Sequence, residues 1–346
     1  MQKKIIALAI AAALAAPVAM AQVVVYGSID AGLRKQTNDA AATGTTTATQ
    51  FGQYSPTRWG IRSTEDLGDG MKANVVVEGS LTSPVAPLTA TNGIFNRQMT
   101  VGVETSAYKF DMGWQNTVSF KTIGTYDPMN FRMLEITGMN AAGGITKAMA
   151  VRSGGMQVSS KFGDVTVTAG YDSNNAQPAA QATTGTGRVV AATYASGAIN
   201  AGAAYSAQES GTTGNFANAA THVTAGAGYN FGDGKVSVGY AKKATGAAVN
   251  EATVTDMWLG ASYNMSPKIG VTAAYYSTAT NTGVVDAANA TRNVMVVAGT
   301  YALSKRTQLY AAIDRTASDT GLNVTTEPGN SKTVMSGTSL GITTTF

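Results

Sequence analysis

The chain has 346 residues, no cysteine, only 8 prolines and 39 glycines, and a formal net charge of +4. Without cysteine there are no disulfide staples and no thiol chemistry. So balanced a charge argues against nucleic acid as a partner, and a mean hydropathy near zero suits strands that alternate apolar and polar side chains.

Lys3 and Lys4 precede a run of apolar residues from Ile5 to Ala16, and Ala19-Met20-Ala21 reads as a small-x-small cleavage site. This is the pattern of a secretory signal peptide over residues 1–21, with the exported chain over 22–346. Removing Lys3 and Lys4 lowers the formal charge from +4 to +2. No later stretch has the length of apolar residues that a membrane-crossing helix needs.

After residue 21 one pattern recurs. Segments of about ten residues alternate apolar with small or polar side chains, the period of a strand with one greasy and one wet face. Short connections fall near Glu65–Gly70, Thr105-Ser106, Gly163-Asp164, Ser196-Gly197, Gly232–Gly234, Ser266-Pro267 and Ser304-Lys305. Between them lie longer stretches at Lys35–Gly52, Thr82–Asn92, Thr117–Lys147, Asp172–Thr186, Ala207–Ala220, Lys242–Ala252, Ser277–Thr291 and Thr316–Ser336. Alternating short and long connections predict an all-β fold, a 16-stranded antiparallel transmembrane β-barrel with two different ends. Phe162, Tyr194, Tyr229, Phe231, Tyr263 and Tyr301 precede short turns, whereas Tyr171, Tyr205, Tyr240 and Tyr275 precede long loops. These are the two aromatic girdles that such a barrel places at its membrane interfaces.

The third long connection, Thr117 to Lys147, carries Met129, Phe131, Met133, Leu134 and Met139. So apolar a loop is expected to fold against a surface, and the barrel interior is the surface at hand. Asp127-Pro128 reads there as an N-cap and first helical position.

Three segments resemble the general porins of Gram-negative outer membranes in their beta-proteobacterial branch. They are Val25-Tyr26-Gly27-Ser28-Ile29-Asp30-Ala31-Gly32, Thr57-Arg58-Trp59-Gly60-Ile61-Arg62-Ser63-Thr64-Glu65-Asp66-Leu67-Gly68, and Tyr301-Ala302-Leu303-Ser304-Lys305-Arg306-Thr307. The terminal Phe346 adds to them. The resemblance implies a homotrimer in the outer-membrane lipid, a third loop that narrows the pore, and a Phe346 that closes the last strand and signals to the insertion machinery. It also implies three wall arginines facing the loop, which map to Arg58, Arg97 and Arg152. The chain departs from the family at Trp114-Gln115 and at Arg152-Ser153-Gly154-Gly155, both around the implied constriction.

Alternation sorts the charges independently. Arg58 and Arg62 share the face opposite Trp59 and Ile61. Lys72 and Glu78 oppose Ala73, Val75 and Val77, and Lys109 and Asp111 oppose Tyr108, Phe110 and Met112, so all of these point into the lumen. Arg97 and Arg152 are in phase with outward residues instead, so either a bulge shifts the register or both lie at strand ends. Asp127 and Glu135 are placed to oppose the arginines across the pore, with Lys121, Arg132 and Lys147 tilting the balance positive. The expected function is a water-filled channel for small hydrophilic solutes and inorganic ions with a modest anion preference. A substrate-selective channel for small anionic nutrients and a structural or adhesive barrel are the alternatives. Lumen-phase aromatics are few (Tyr26, Tyr276 and Tyr310), which disfavours a sugar track. His222, the only histidine, is expected in the lumen near a loop and has no partner for metal or catalytic work, so neither an enzyme nor a cofactor is expected.

Overall fold

In the computed structural model the described residues are 22–38, 45–81, 94–137, 152–173, 184–210, 220–246, 251–281, 290–319 and 332–346. The expected signal peptide at residues 1–21 lies outside them. Seventeen strand segments form one sheet: β1 (Gln22–Asn38), β2 (Thr45–Phe51), β3 (Arg58–Gly68), β4 (Met71–Ser80), β5 (Gln98–Glu104), β6 (Tyr108–Asn116), β7 (Arg152–Phe162), β8 (Val165–Ser173) and β9 (Thr184–Ser196). There follow β10 (Ile199–Ser210), β11 (Ala220–Phe231), β12 (Gly234–Thr245), β13 (Ala252–Asn264), β14 (Ile269–Asn281), β15 (Ala290–Ala302), β16 (Thr307–Asp319) and β17 (Lys332–Thr345). β1 pairs antiparallel with both β2 and β3, from β3 onward each strand pairs antiparallel with the next, and β17 returns to β1 through Ser28↔Thr345 to Asn38↔Met335. Beyond the strand end, the Phe346 amide donates to Gly27 O at 3.2 Å and the Phe346 carbonyl accepts from Gly27 N at 3.1 Å, completing the seam.

The barrel nonetheless has sixteen staves, because β2 and β3 are two halves of one. β1 pairs with β2 along Ala31–Thr37 and with β3 along Gln22–Ser28. Between them residues 52–57 buckle inward, with Gly52 at φ 72°. Asp30 of β1 holds the buckle: its carbonyl accepts from Gly52 N at 3.1 Å, and its carboxylate accepts from Tyr54 N at 3.1 Å. The strands also run further than alternation suggests. Lys35–Asn38 and Thr45–Phe51, expected within the first long loop, are paired strand, and β10, β12, β14 and β16 extend past their expected ends.

The alternation has the sense of a membrane barrel. Outward positions are apolar and exposed, as Val25 (59%), Val238 (49%), Leu259 (59%) and Ile313 (60%) illustrate. Ser28, Asp30, Arg34, Asp256, Asp314 and Ser339 are buried on the inner side. Arg34 and Asp314 meet there through two bonds of 2.7 and 2.9 Å, with Ser339 adding a third to Arg34 at 3.1 Å. A charge removed from water needs such a bidentate partner. Phe162, Tyr194, Tyr229, Phe231, Tyr263 and Tyr301 are exposed at the turn end, and Tyr171, Tyr205 and Tyr275 at the loop end. No helix among the described residues is long and apolar enough to cross a membrane.

Among the described residues two helices interrupt the sheet between β6 and β7: α1 (Val118–Tyr126) and the single turn α2 (Leu134–Thr137). The helix lies upstream of the expected start. Thr117 is its N-cap, accepting from Phe120 N, and Asp127 follows its last residue. The physical reason is that Asp127 caps the next turn instead, accepting from Met129 N at 3.1 Å and Phe131 N at 2.6 Å. α1 runs along β8 to β12, and α2 rests on β15. The apolar side chains of this connection account for the fold-in: Phe120, Ile123, Met129, Met133 and Ile136 are buried with Trp258, Tyr276, Val294, Val296 and Tyr310 of the wall.

Polar contacts fix the same segment. Trp258 Nε1 donates to Tyr126 O at 2.9 Å, Tyr276 OH to Asp127 Oδ1 at 2.5 Å, and the Arg292 guanidinium to Ile136 O at 3.2 Å. Asp127 is 3% exposed, and burial pushes its carboxyl above the usual carboxylate range despite its three donors. Met133 N donates to Tyr54 O at 3.0 Å, and the Tyr54 ring stacks on Tyr310 at 4.5 Å, so the buckle at 52–57 props the loop from the other side.

Two outcomes test this architecture. Val238→Arg puts a charge on the lipid face near mid-strand and should lower the refolding free energy in lipid vesicles by about 2–4 kcal/mol, measured by denaturant titration. Asp127→Ala strands three donors, each costing about 1–3 kcal/mol when buried without a partner. The variant should still insert as a barrel but give noisier single-channel currents than the parent.

Candidate functional site: an arginine cluster on the inner wall

Because paired residues share a face, register fixes where the wall charges point. Ser28 is buried and inward, and its partner Arg58 opens β3 on the same face. Glu78 of β4 pairs with Gly60, also on that face, and is buried at 5% exposure. Arg58 Nε lies 3.6 Å from Glu78 Oε2, and Arg97 Nε lies 2.5 Å from Glu78 Oε1. Tyr26 of β1 adds its hydroxyl to Glu78 at 3.1 Å.

Arg97 reaches this site although its number is in phase with Met99 and Val101, which are exposed on the outside at 52% and 56%. β5 begins only at Gln98, so Arg97 is free of the alternation. Its amide donates to Glu78 O at 3.0 Å, and its guanidinium turns to the same residue's carboxylate. Arg152, the first residue of β7, pairs with Asn116 at the end of β6. It lies within electrostatic range of Arg97, Arg58 and Glu78, and its Nε is buried without a partner among the described residues. Three guanidinium groups therefore gather around one carboxylate, an excess of two positive charges, since guanidinium does not deprotonate. Arg58 is the most open of the paired groups, its side chain 35% exposed against 16% for Arg97 and 6% for Glu78.

The remaining candidates lie apart. Arg62, four residues further toward the turn, sits over the Tyr26 ring at 5.6 Å. Lys72 faces inward at the turn end, opposite Glu104 and Asp66, and is exposed. Lys109 Nζ lies 3.5 Å from Asp111. Asp127, expected to oppose the arginines across the lumen, is instead buried under Tyr276 and occupied as a cap, so it presents no open carboxylate. The side chain of Glu135 and all of Lys147 lie outside the described residues.

In the loop, Lys121 Nζ donates to Gln157 Oε1 at 2.7 Å, and burial pushes its ammonium below the usual lysine range. Arg132 donates to Tyr54 OH at 3.0 Å with its guanidinium over the ring at 5.2 Å. Tyr276 and Tyr310 are covered by the loop at 3% exposure each, and His222 is 2% exposed beside Ser206. Among the described residues no cluster of ligands suits a metal ion. Glu78 is the residue of the cluster that sequence reasoning placed in the lumen without giving it a role. Its signal was available: an acid in lumen phase on the stave next to Arg58.

Comparisons with known proteins bear on the family and the fold. Residues 7–321 match the family described as Gram-negative porin. An outer membrane porin of Bordetella pertussis is 31% identical over 142 residues, 37% of this chain and 37% of that protein. Outer membrane porin protein 32 of Delftia acidovorans is 28% identical over 249 residues, 68% of each chain. In fold, the chain is similar to an anion-selective porin from Comamonas acidovorans at TM-score 0.76 and 20% identity, covering 94% of this chain and 100% of that one. It is also similar to OmpF of Salmonella typhi at TM-score 0.62 and 14% identity, covering 94% and 97%. A strand ring closed at Phe346, an apolar exterior and a family match over most of its length make this chain a member of the Gram-negative porins, located in the outer membrane.

Proposed function

We propose that the barrel is a water-filled diffusion channel for small hydrophilic solutes and inorganic ions with a modest preference for anions, in which Arg58, Arg97 and Arg152 form the selective wall. The observation that carries this reading is the cluster itself, Arg58 and Arg97 paired with the carboxylate of Glu78 and Arg152 within electrostatic range of all three. A fixed positive excess beside a narrow aqueous passage with low-dielectric walls raises the local anion concentration. The similarity in fold to the anion-selective porin of Comamonas acidovorans supports the same sign.

Arg62, Lys72 and Lys109 extend the basic lining toward the turn end, where Asp111, Glu104 and Asp66 offset it. The exported chain begins at Gln22, which is also the first residue of β1. It assembles as a homotrimer, as one related fold from Vibrio cholerae is described in a trimer form. The Phe346 carbonyl and amide suit a terminal signal for insertion, since they join the last strand to the first at the barrel seam.

Zero-current potential across a planar bilayer in a salt gradient tests the reading. The parent should show the sign of anion preference, and Arg58→Gln should reduce it, most strongly at low salt where the Debye length is long. A cation-preferring parent sinks the proposal. Glu78→Gln has the opposite expectation: it removes the compensating charge and should raise anion preference above the parent's. Unchanged potentials in both variants would show that the cluster does not line the conducting path.

A further inference from the structure

The loop that folds into the lumen leaves a hollow on its turn side, against the wall opposite the arginine cluster. Arg58, Glu78 and Arg152 belong to β3, β4 and β7, whereas the hollow lies on β12 to β15, about half of the ring away. Its ceiling is fixed. Pro128 rests on Gly260 of β13, so close that a Cβ on that glycine would collide with the proline ring. Trp258 of the same strand donates to Tyr126 O at 2.9 Å.

Below this ceiling the register sets a row of inward side chains across three strands. Lys235 pairs with Ser262, and Ser262 with Thr272. Their direction follows from Val236, Val238 and Leu259, which face out. Two inter-strand gaps of about 4.8 Å spread the row over about 10 Å. Ser237, two residues along β12 from Lys235, adds a third hydroxyl on the same face. The hydroxyls of Ser237, Ser262 and Thr272 have no hydrogen-bond partner among the described residues.

Two cations reach the same space. Lys235 Nζ donates to Thr125 O at 3.3 Å, and Arg132 donates to Tyr54 OH at 3.0 Å. Each keeps further N–H donors, and neither has an ion pair among the described residues. The carboxylate in the lining, Asp127, already accepts from Tyr276 OH, Met129 N and Phe131 N. The cavity measures about 340 Å³. That is the lower end of the range of about 300–1,000 Å³ for small-molecule pockets, and it suits one solute of monosaccharide size.

We propose that this hollow is a binding site for a small polyol carrying one anionic group, of the size of a hexose phosphate. Lys235 and Arg132 hold the anionic group, Ser237, Ser262 and Thr272 exchange hydrogen bonds with the hydroxyls, and a C–H face lies on Pro128. A bare anion would leave the three hydroxyls idle, and a neutral sugar would leave both cations unpaired; a ligand with both features satisfies both. The site is no aromatic sugar track, because the ring in its lining, Tyr54, is already covered by Tyr310 and Arg132. The inference rests on the diffusion-channel reading only in that solute must reach the lumen.

The test is ligand-observed saturation-transfer NMR on the purified full-length barrel in detergent. The probes are glucose 6-phosphate, glucose, and glucose 6-phosphate in competition with inorganic phosphate. The parent should bind glucose 6-phosphate at least about tenfold more tightly than glucose, and inorganic phosphate should displace it only at about tenfold higher concentration. Lys235→Gln and S262A/T272A should each weaken binding about fivefold or more. Arg58→Gln, on the opposite wall, should bind as the parent does. Absent binding, equal affinity for glucose, or displacement by inorganic phosphate at equal concentration each overturns the proposal, and these comparisons stand on the parent alone even where a variant does not fold. Weakening by Arg58→Gln with Lys235→Gln undiminished would assign the ligand to the arginine cluster and overturns it too. A barrel that conducts as expected yet does not bind overturns this inference and not the diffusion reading, whereas one that binds yet prefers cations does the reverse.

Discussion

Hydrocarbon offers no partner to a peptide group, so each N–H and C=O within the membrane must be satisfied by the chain itself. A sheet meets that demand only by closing, and the seam between β1 and β17 is where this chain does so. The eleven register pairs from Ser28↔Thr345 to Asn38↔Met335, continued by Phe346 on Gly27, leave no free edge. Everything else follows from closure. The inner and outer faces become distinct, the alternation acquires a sense, and the only way to narrow the interior is to fold part of the chain back into it.

Among the described residues the third loop and the buckle at 52–57 are folded back, and they support each other. Tyr54 stacks on Tyr310 of the wall, accepts from Arg132 of the loop, and offers its carbonyl to Met133. Asp30 holds the buckle and Asp127 holds the loop, each by a carboxylate accepting backbone amides. The polar anchors are buried, and removing a partner strands the rest at full desolvation cost. Such a loop has the character of a packed element, with aromatic and methionine side chains supplying its hydrophobic contact.

Parity explains how much of this was legible in the sequence. Within a strand the period of two is enforced by the cost of placing a charge in lipid, so Arg58, Arg62, Lys72, Glu78 and Lys109 read directly as inward. At strand ends that penalty lapses, because neighbouring backbone is no longer held in the pleat. Arg97 precedes β5 by one residue and Arg152 opens β7, so alternation does not fix where either side chain points. The strand break inside the second stave escaped notice because a buckle needs no distinctive composition: Gly52 and Pro56 look like any loop. Asp127 was misplaced for a related reason. Asp-Pro suits a helix start and a capped turn equally, and what decides between them is Thr117 ten residues earlier, already capping α1, together with Tyr276 from a strand far along the chain.

The arrangement around Glu78 reconciles two demands that pull against each other. Guanidinium groups packed side by side repel, and without a counter-charge they would splay toward solvent. A matching number of carboxylates would hold them but abolish the field. One carboxylate accepting from Arg97 at 2.5 Å, near Arg58 at 3.6 Å and bonded to Tyr26 holds the set in place and leaves two charges uncancelled. The pairing is also graded by exposure: the tightest partner, Arg97, is the more buried, while Arg58 is held loosely and open. In the proposed channel a solute meets the arginine whose charge is least neutralised. Glu78 lies on the stave between that of Arg58 and that which Arg97 precedes, so the two guanidinium groups reach its carboxylate from opposite sides.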